Sequence, residues 1–381
     1  MLNPPGARDV PCSMRRHWRW ALVAAGLVAL VALPFLVAAL PAGRSSIDAR
    51  TLFRRIVASV DVPYAGYVRA TGSLALPVST GAFSVNDLLG GTTQLRVWWR
   101  SPADWRVDSI DASGETDLHH DAGGTWAWDY EANSARRSIE SASAQVRLPR
   151  SDDLVPGDLA RRLLSEADGV GATRLPNARV AGHDAAGLRL RVADPRSTIR
   201  HIDVWALPSS GLPVRVAVYG AGATPVVTTS VYDLDTSRPS SATTAFRPPP
   251  GAQAQVGRPS DIVAVIDQFG RSEPPSRVAG LARRTSLTLG AVGVYGRGVT
   301  LLAAIPLSAQ LAGTVVPQLR SVPGMVEDGA GIAVGVGPVN VQLSPPTGFG
   351  ARWLLVGTVT AATLRAAVPA LPPAHGFGPR N

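Results

Sequence analysis

From Tyr64 to Asp233 the chain keeps a two-residue rhythm, with short runs of alternating apolar and polar residues cut by turn signals. In TQLRVWWR, Leu95, Val97 and Trp99 fall on one face, with Gln94, Arg96, Trp98 and Arg100 on the other. TWAWDY groups Trp126, Trp128 and Tyr130; GLRLRV groups Leu188, Leu190 and Val192; LPVRVAVY groups Val214, Val216 and Val218. Successive side chains of a strand point to opposite faces, so the pattern predicts strands with one buried face. Turns are expected at Ser101-Pro102, Gly123-Gly124, Ala132-Asn133, Gly182 to Gly187 and Ser209-Ser210-Gly211. They leave no room for crossover helices, which makes the strands antiparallel. Roughly ten or eleven such strands are too many for one flat sheet, and a strongly curved sheet or partial barrel is expected.

Helices frame this region. In SSIDARTLFRRIVASV, Ser46 is placed to cap, Leu52, Ile56 and Val60 recur at four-residue spacing, and Pro63 ends the run. A second helix is expected in SDDLVPGDLARRLLSEADG. There Asp152, Asp153 and Asp158 sit near the positive end of the helix dipole, and Leu159, Leu163 and Leu164 make an apolar stripe. The Pro/Ser/Thr-rich stretch from Asp235 to Ser260 reads as a linker without a packed core, leaving modest contacts between its flanking domains. Beyond it a small α+β domain is expected over residues 261–375. Its parts are a short helix at Ser276 to Arg284, strands in SLTLGAVGVYG, GVTLLAAIP, GIAVGVGPVNVQL and RWLLVGTV, and a closing helix in TAATLRAAVPAL.

The N-terminus carries a different signal. Between Trp20 and Gly43 there is no charged residue, and Arg15, Arg16, His17 and Arg19 stand directly before that stretch. Its length suits a helix crossing a hydrocarbon core of ~30 Å. Residues 18–41 are therefore read as a transmembrane signal anchor, with residues 1–17 cytoplasmic and everything from about Arg44 outside the membrane. Trp18 and Trp20 would lie at headgroup level. The alternative is a signal peptide cleaved after Leu40-Pro41-Ala42, which leaves a secreted protein; the apolar run is longer than the usual signal core. The sole cysteine, Cys12, precedes the run, so it is not a lipoprotein acceptor and forms no intrachain disulfide.

All 37 basic residues counted as Lys+Arg are arginine, in a chain rich in Ala, Gly and Pro, as a GC-rich genome produces. Of the net charge of +9, the first 43 residues hold +3. The remaining arginine pairs (Arg54-Arg55, Arg136-Arg137, Arg161-Arg162, Arg283-Arg284) are dispersed, without a basic stripe interleaved with aromatics. No nucleic-acid partner is expected; weak attraction to an anionic membrane surface is.

Five segments resemble one family. They are Val62-Pro63-Tyr64-Ala65-Gly66-Tyr67, WWRSPADWRVD (Trp98 to Asp108), GTWAWDY (Gly124 to Tyr130), LPRSDDLVPGDLARRLL, and IDVWALPSSGLPVRV. In their order the chain resembles the LolA/LppX/RseB-like superfamily, in its actinobacterial membrane-anchored branch. GVYGRGVTLLAAIPL and RWLLVGTVTAATL resemble the second domain of the MucB/RseB-type two-domain arrangement. The resemblance implies an α+β chain: the transmembrane helix, an unclosed antiparallel half-barrel lidded by helices over residues 46–235, a linker over 236–260, and the small domain. It also implies a non-enzymatic module that binds lipid or acyl chains on the apolar concave face, as a sensor or lipid handler. The alternative it implies is an RseB-like negative regulator of an envelope-stress sigma/anti-sigma pathway. Its partner would then be a single-pass membrane protein, an anti-sigma factor or a transporter component. An anchored chain departs from the soluble shuttles of the family.

On that resemblance Leu95, Val97, Trp99, Trp126, Trp128, Tyr130, Leu188, Leu190, Val214 and Val216 are expected to line a ligand cavity. The competing reading is that they fill an ordinary sheet–helix core, as large rings routinely do. Asp129 and Asp203 fall on the opposite faces of their strands and are read as solvated. No catalytic constellation, metal site or cofactor is expected. His119 and His120, being adjacent, point to opposite faces and read with Asp121 as a solvated turn. Asp152-Asp153 reads as helix-start acids. Gly329-Ala330-Gly331 with Gly335 lacks the dinucleotide-binding spacing and precedes a strand.

Overall fold

The computed structural model describes residues 18, 20–28, 30, 43, 45–72, 90–111, 114–139, 150–257, 274–284, 291–347 and 350–374. Contacts divide the chain at Gly43/Arg44. In the first unit the described residues 18, 20–28 and 30 are helical. The rest of the expected span 18–41 and the Leu40-Pro41-Ala42 cleavage signal lie outside the described residues. Among the described residues no helix is long and apolar enough to cross a membrane.

The second unit begins with α1 (Ala49–Ala58). Asp48, not Ser46, caps it, accepting from the Thr51 amide at 2.9 Å. Residues 59–61 form a 3-10 turn before Pro63. Eleven strands then belong to one large sheet: β1 (Tyr64–Gly72), β2 (Thr92–Ser101), β3 (Asp104–Asp111), β4 (Gly114–Asp121), β5 (Gly124–Asp129), β6 (Ser134–Ser138), β7 (Ala172–Val180), β8 (His183–Arg191), β9 (His201–Ala206), β10 (Pro213–Tyr219) and β11 (Pro225–Asp235). Between β6 and β7 comes the second helical block. It is split by Pro156, which at the first helical position needs no amide partner, into a 3-10 turn at Ser151–Leu154 and α2 (Pro156–Leu164).

The sheet order is β12-β6-β5-β4-β3-β2-β1-β11-β10-β9-β8-β7. Two meanders, β2 to β6 and β7 to β11, are joined because β1 pairs with β2 on one side and β11 on the other. The end strands do not pair with each other, so the sheet is open and not a closed barrel. The turn expected at Gly182 to Gly187 is shorter than that. Ala181 and Gly182 take positive φ and β8 starts at His183, which leaves Gly187 inside the strand. A Cβ there would meet Pro176 O at 2.8 Å, across a bulge in β7.

The twelfth strand corrects the linker expectation. Residues 236–260 were read as unpacked, but 241–244 form a short helix, α3 (Ser241–Thr244), and β12 (Gln253–Gly257) pairs in parallel with β6. Composition misleads here because the stretch is held by contacts with the sheet rather than by a core of its own. Thr244 Oγ1 donates to Asp104, Arg100 donates to Pro239 O, and Phe246 packs on the Trp126–Trp128 cluster. This stretch is a strap across one face.

Register decides which residues share a face. Val97 lies opposite Val107, Val107 opposite Leu118, and Leu118 opposite Ala127. Directly opposed residues share a face, so Ala127 follows Val97 and Trp126 and Trp128 emerge on the other side. In the other direction, Leu95 faces Val68, Thr229 faces Val216, and Val204 faces both Val216 and Leu188. These side chains form the helix face. Leu154 and Val155 bury it over β1 to β4, and Leu52, Phe53, Ile56, Ala160 and Leu164 bury it over β8 to β10.

The small domain opens with a tight hairpin, β13 (Arg277–Val278) and β14 (Leu281–Ala282), where a helix over 276–284 was expected. Ala279 and Gly280 both take positive φ, which ends any helix at that point. A six-stranded antiparallel sheet follows, ordered β15-β16-β20-β19-β18-β17. Its strands are β15 (Gly293–Arg297), β16 (Thr300–Leu307), β17 (Val326–Asp328), β18 (Gly331–Val336), β19 (Val339–Leu343) and β20 (Arg352–Gly357). Helix α4 (Ala309–Arg320), unread in the sequence, covers the Leu307, Ile332 and Leu343 side. The hairpin and α5 (Ala361–Ala367) cover the Leu302, Trp353 and Leu355 side.

The two parts form one compact unit from Arg44 onward, against the expectation of modest contacts. The β8–β9 loop pairs through backbone with the end of β20: Thr198 N donates to Thr358 O at 3.0 Å, and Thr360 N donates to Arg196 O at 2.8 Å. Glu166, just after α2, takes Arg284 and the Gly298 amide.

Two outcomes test this architecture. Leu52→Ala should cost about 2–5 kcal/mol in chemical denaturation, because a fully buried side chain leaves a cavity. Phe246→Ala should open the strap, so that limited proteolysis cuts within residues 237–257 in the variant while the wild type resists there.

Candidate functional site

The structure distributes the ten residues expected to line a cavity. Leu95, Val97, Trp99 and Val214 belong to one core cluster of the helix face, and Leu188, Leu190 and Val216 to another. All seven are buried against side chains and helices of the chain itself. Trp126 and Trp128 lie on the opposite, strap face, in a third cluster with Ala135 and Phe246. Tyr130 is 51% exposed and meets Trp128 edge-on at 5.5 Å. A single lining made of all ten does not form. The alternation gives each strand two faces, but only the register says which face joins its neighbour's.

The strap face carries a group of buried charge. Asp108 and Asp117, opposed on β3 and β4, are each 1% exposed. Arg106 holds Asp108 with two hydrogen bonds, at 2.6 and 2.8 Å, and reaches Asp117 Oδ2 at 2.9 Å. The Trp98 ring backs this guanidinium at 5.0 Å. Glu115 joins from the same face of β4, so that carboxylate oxygens of Asp108, Glu115 and Asp117 lie within 4.8 Å of one another. At that spacing two like charges repel by about 3 kcal/mol at an effective dielectric of about 20. Burial first, then the Asp108 carboxylate, pushes Asp117 up to about 7, while Arg106 pulls it down. Asp117 Oδ1 is buried with no hydrogen-bond partner.

His119 corrects the solvated-turn expectation. It is 4% exposed, and its Nδ1 donates to Thr244 O at 3.0 Å, since a carbonyl only accepts. Nε2 therefore carries the lone pair and faces Asp117 Oδ2 at 4.0 Å. Burial lowers the His119 pKa and favours the neutral ring. Phe246 stacks on that ring at 4.7 Å. His120 points to the helix face as expected for its neighbour, but stacks on Trp105 at 5.1 Å. Asp203, also read as solvated, is 2% exposed and held by Arg189 at 2.7 and 2.6 Å. Asp129 is half-buried and accepts from the Ala132 amide.

A cavity of about 450 Å³ opens where the large sheet meets the small domain. Leu163, Leu190, Val192, Ile202, Leu281 and Val299 supply apolar walls. Arg191, Arg277 and Arg297 stand at it together with Glu166, Asp168 and Asp194. Of the ten expected lining residues only Leu190 takes part. Sequence reasoning missed this site because its walls come from β8, the end of α2, the β13–β14 hairpin and the β15–β16 turn, segments that no local pattern links.

No family model and no curated protein matches the sequence. Among solved structures, the chain is similar to the MucA/MucB complex of Pseudomonas aeruginosa (TM-score 0.49, 15% identity, 86% of this chain and 99% of that chain). It is similar to MucB alone at a TM-score of 0.46 and 14% identity, over 87% of this chain and all of that one. A LolA superfamily protein from Nitrosomonas europaea aligns with 53% of this chain and 99% of its own, at a TM-score of 0.24 and 11% identity.

Arg106→Ala should leave Asp108 and Asp117 without their counter-charge and cost about 3–5 kcal/mol in urea denaturation, as removing one partner of a buried ion pair does.

Proposed function

We propose that this chain is a non-enzymatic extracytoplasmic binding module whose ligand is lipid-like, carried in the cavity at the junction of its two parts. One observation supports the reading above others: about 450 Å³ of space with apolar walls and a charged mouth, within the range of small-molecule sites. Each methylene buried against Leu163, Leu190 and Val299 contributes about 0.8 kcal/mol before the cost of ordering the chain. A polar head is left at the mouth beside Arg191 and Arg297. A half-barrel curvature of the large sheet around its helix face, and a membrane anchor at residues 18–41 that holds the module outside the cytoplasm, are parts of the same reading.

A second reading is favoured by a different feature. Among the described residues the strand β12 ends the sheet order, and all its residues are exposed, Val256 at 62%. A free sheet edge accepts an added strand from an extended segment of another protein. Under this reading the module is an RseB-like negative regulator that contacts a single-pass membrane protein such as an anti-sigma factor. MucB, to which the chain is similar, has been solved in complex with MucA.

The test uses an acyl-bearing fluorescent probe and mass spectrometry of co-purifying lipid. Ala167→Trp, which fills the cavity, should reduce probe binding at least tenfold with little change in melting temperature. Val97→Ala, in the helix-face core away from the cavity, should lower stability and leave probe affinity unchanged. If neither protein carries lipid and the probe binds the filled variant as well as the wild type, the acyl reading fails.

A further inference from the structure

The buried acids of the strap face play no part in that function. Three carboxylates, on Asp108, Glu115 and Asp117, stand about Arg106, whose guanidinium bonds two of them, while Arg96 opposes Asp108 from β2. We propose that Asp108, Glu115 and Asp117 form a binding site for a hard divalent cation, calcium-like in its demand for oxygen ligands. Their oxygens lie within 4.8 Å of one another. A calcium ion holds its ligands at about 2.3–2.6 Å, so oxygens on opposite sides of one ion stand about that far apart.

The second observation is independent of this spacing. Asp117, with a side chain 2% exposed, leaves its Oδ1 buried and without a hydrogen-bond partner. A buried carboxylate oxygen left unpartnered is costly, and a cation would satisfy it. The rest of the site is already fixed. Arg106 anchors Asp108 through both oxygens and Asp117 through Oδ2. His119, its Nδ1–H committed to Thr244 O, presents the Nε2 lone pair toward Asp117. Metal-binding imidazoles are oriented through just such a carbonyl contact, and here it would link an occupied site to the strap.

A divalent ion offsets two carboxylate charges, whereas a proton offsets one. The two occupants are separable by experiment. The full chain, stripped with a chelator, is melted at neutral pH with calcium, magnesium, manganese or zinc. Calcium or manganese should raise the melting temperature by about 5 °C at roughly hundredfold excess over Kd. Terbium, standing in for calcium, should show emission sensitised by Trp98 or Trp128. Asp117→Asn and Glu115→Gln should each abolish both signals, while Asp129→Asn, on the other face, should keep them. Glu115 is only half-buried, so its variant remains a folded test if the Asp117 variant does not fold. No shift and no emission with any cation overturns the site, as does a response that survives both variants. A melting temperature that ignores cations and responds to pH only while Asp117 is present makes the proton the occupant, and likewise overturns it.

Discussion

The large sheet exists as one sheet because β1 pairs with β11. Ala65 meets Asp235 and Gly72 meets Val227, across almost the whole length of the first part of the chain. Each meander on its own is built from neighbouring hairpins and exposes its apolar face. Only when β1 bridges them do Leu95 and Val97 on one side and Val204 and Leu188 on the other form a continuous floor. The helices α1 and α2 then have enough surface to bury Leu52, Ile56, Ala160 and Leu164 completely. The bulge at Tyr67/Val68 lies in this joint, where the two meanders are brought into phase.

That joint explains how much was legible in advance. The strands were readable because alternation is a property of each strand alone, and the runs at Leu95, Leu188 and Val214 all fall where expected. The relation between strands was not. Trp126 and Trp128 alternate as clearly as Val97 does, yet they lie on the other face, because phase passes through Val107, Leu118 and Ala127 by way of two turns. The same limit hid Asp203. Its strand pattern assigned it correctly to the face opposite Val204, but that face is buried there by Arg189 rather than open to water.

The strap and the junction cavity show a second limit. Asp235 to Ser260 has a composition that disfavours a core of its own, and in isolation that judgement is sound. It is ordered by partners distant in sequence: Asp104 for Thr244, Trp126 and Trp128 for Phe246, and β6 for β12. The cavity likewise depends on the β13–β14 hairpin meeting the end of α2. The buried acids were out of reach for a related reason. Asp108 and Asp117 lie nine residues apart in separate runs, each an ordinary polar position of its own strand, and become a group only through one register pair.

The place where the strap leaves the sheet bears on how the small domain holds its seat. In strand order β12 is at one end, whereas the β8–β9 loop that pairs with Thr358 and Thr360 is near the other. The described chain thus leaves the sheet at the end of the strand order remote from the loop on which the small domain docks. A tether of this kind sets the effective concentration of the domain at its seat, which falls as the free length of the leash grows. While β12 is paired and Phe246 is stacked, the chain before Gly257 adds nothing to the leash. Releasing them lengthens it, so a change beneath the strap weakens docking at the opposite end of the sheet without altering a single atom of the junction.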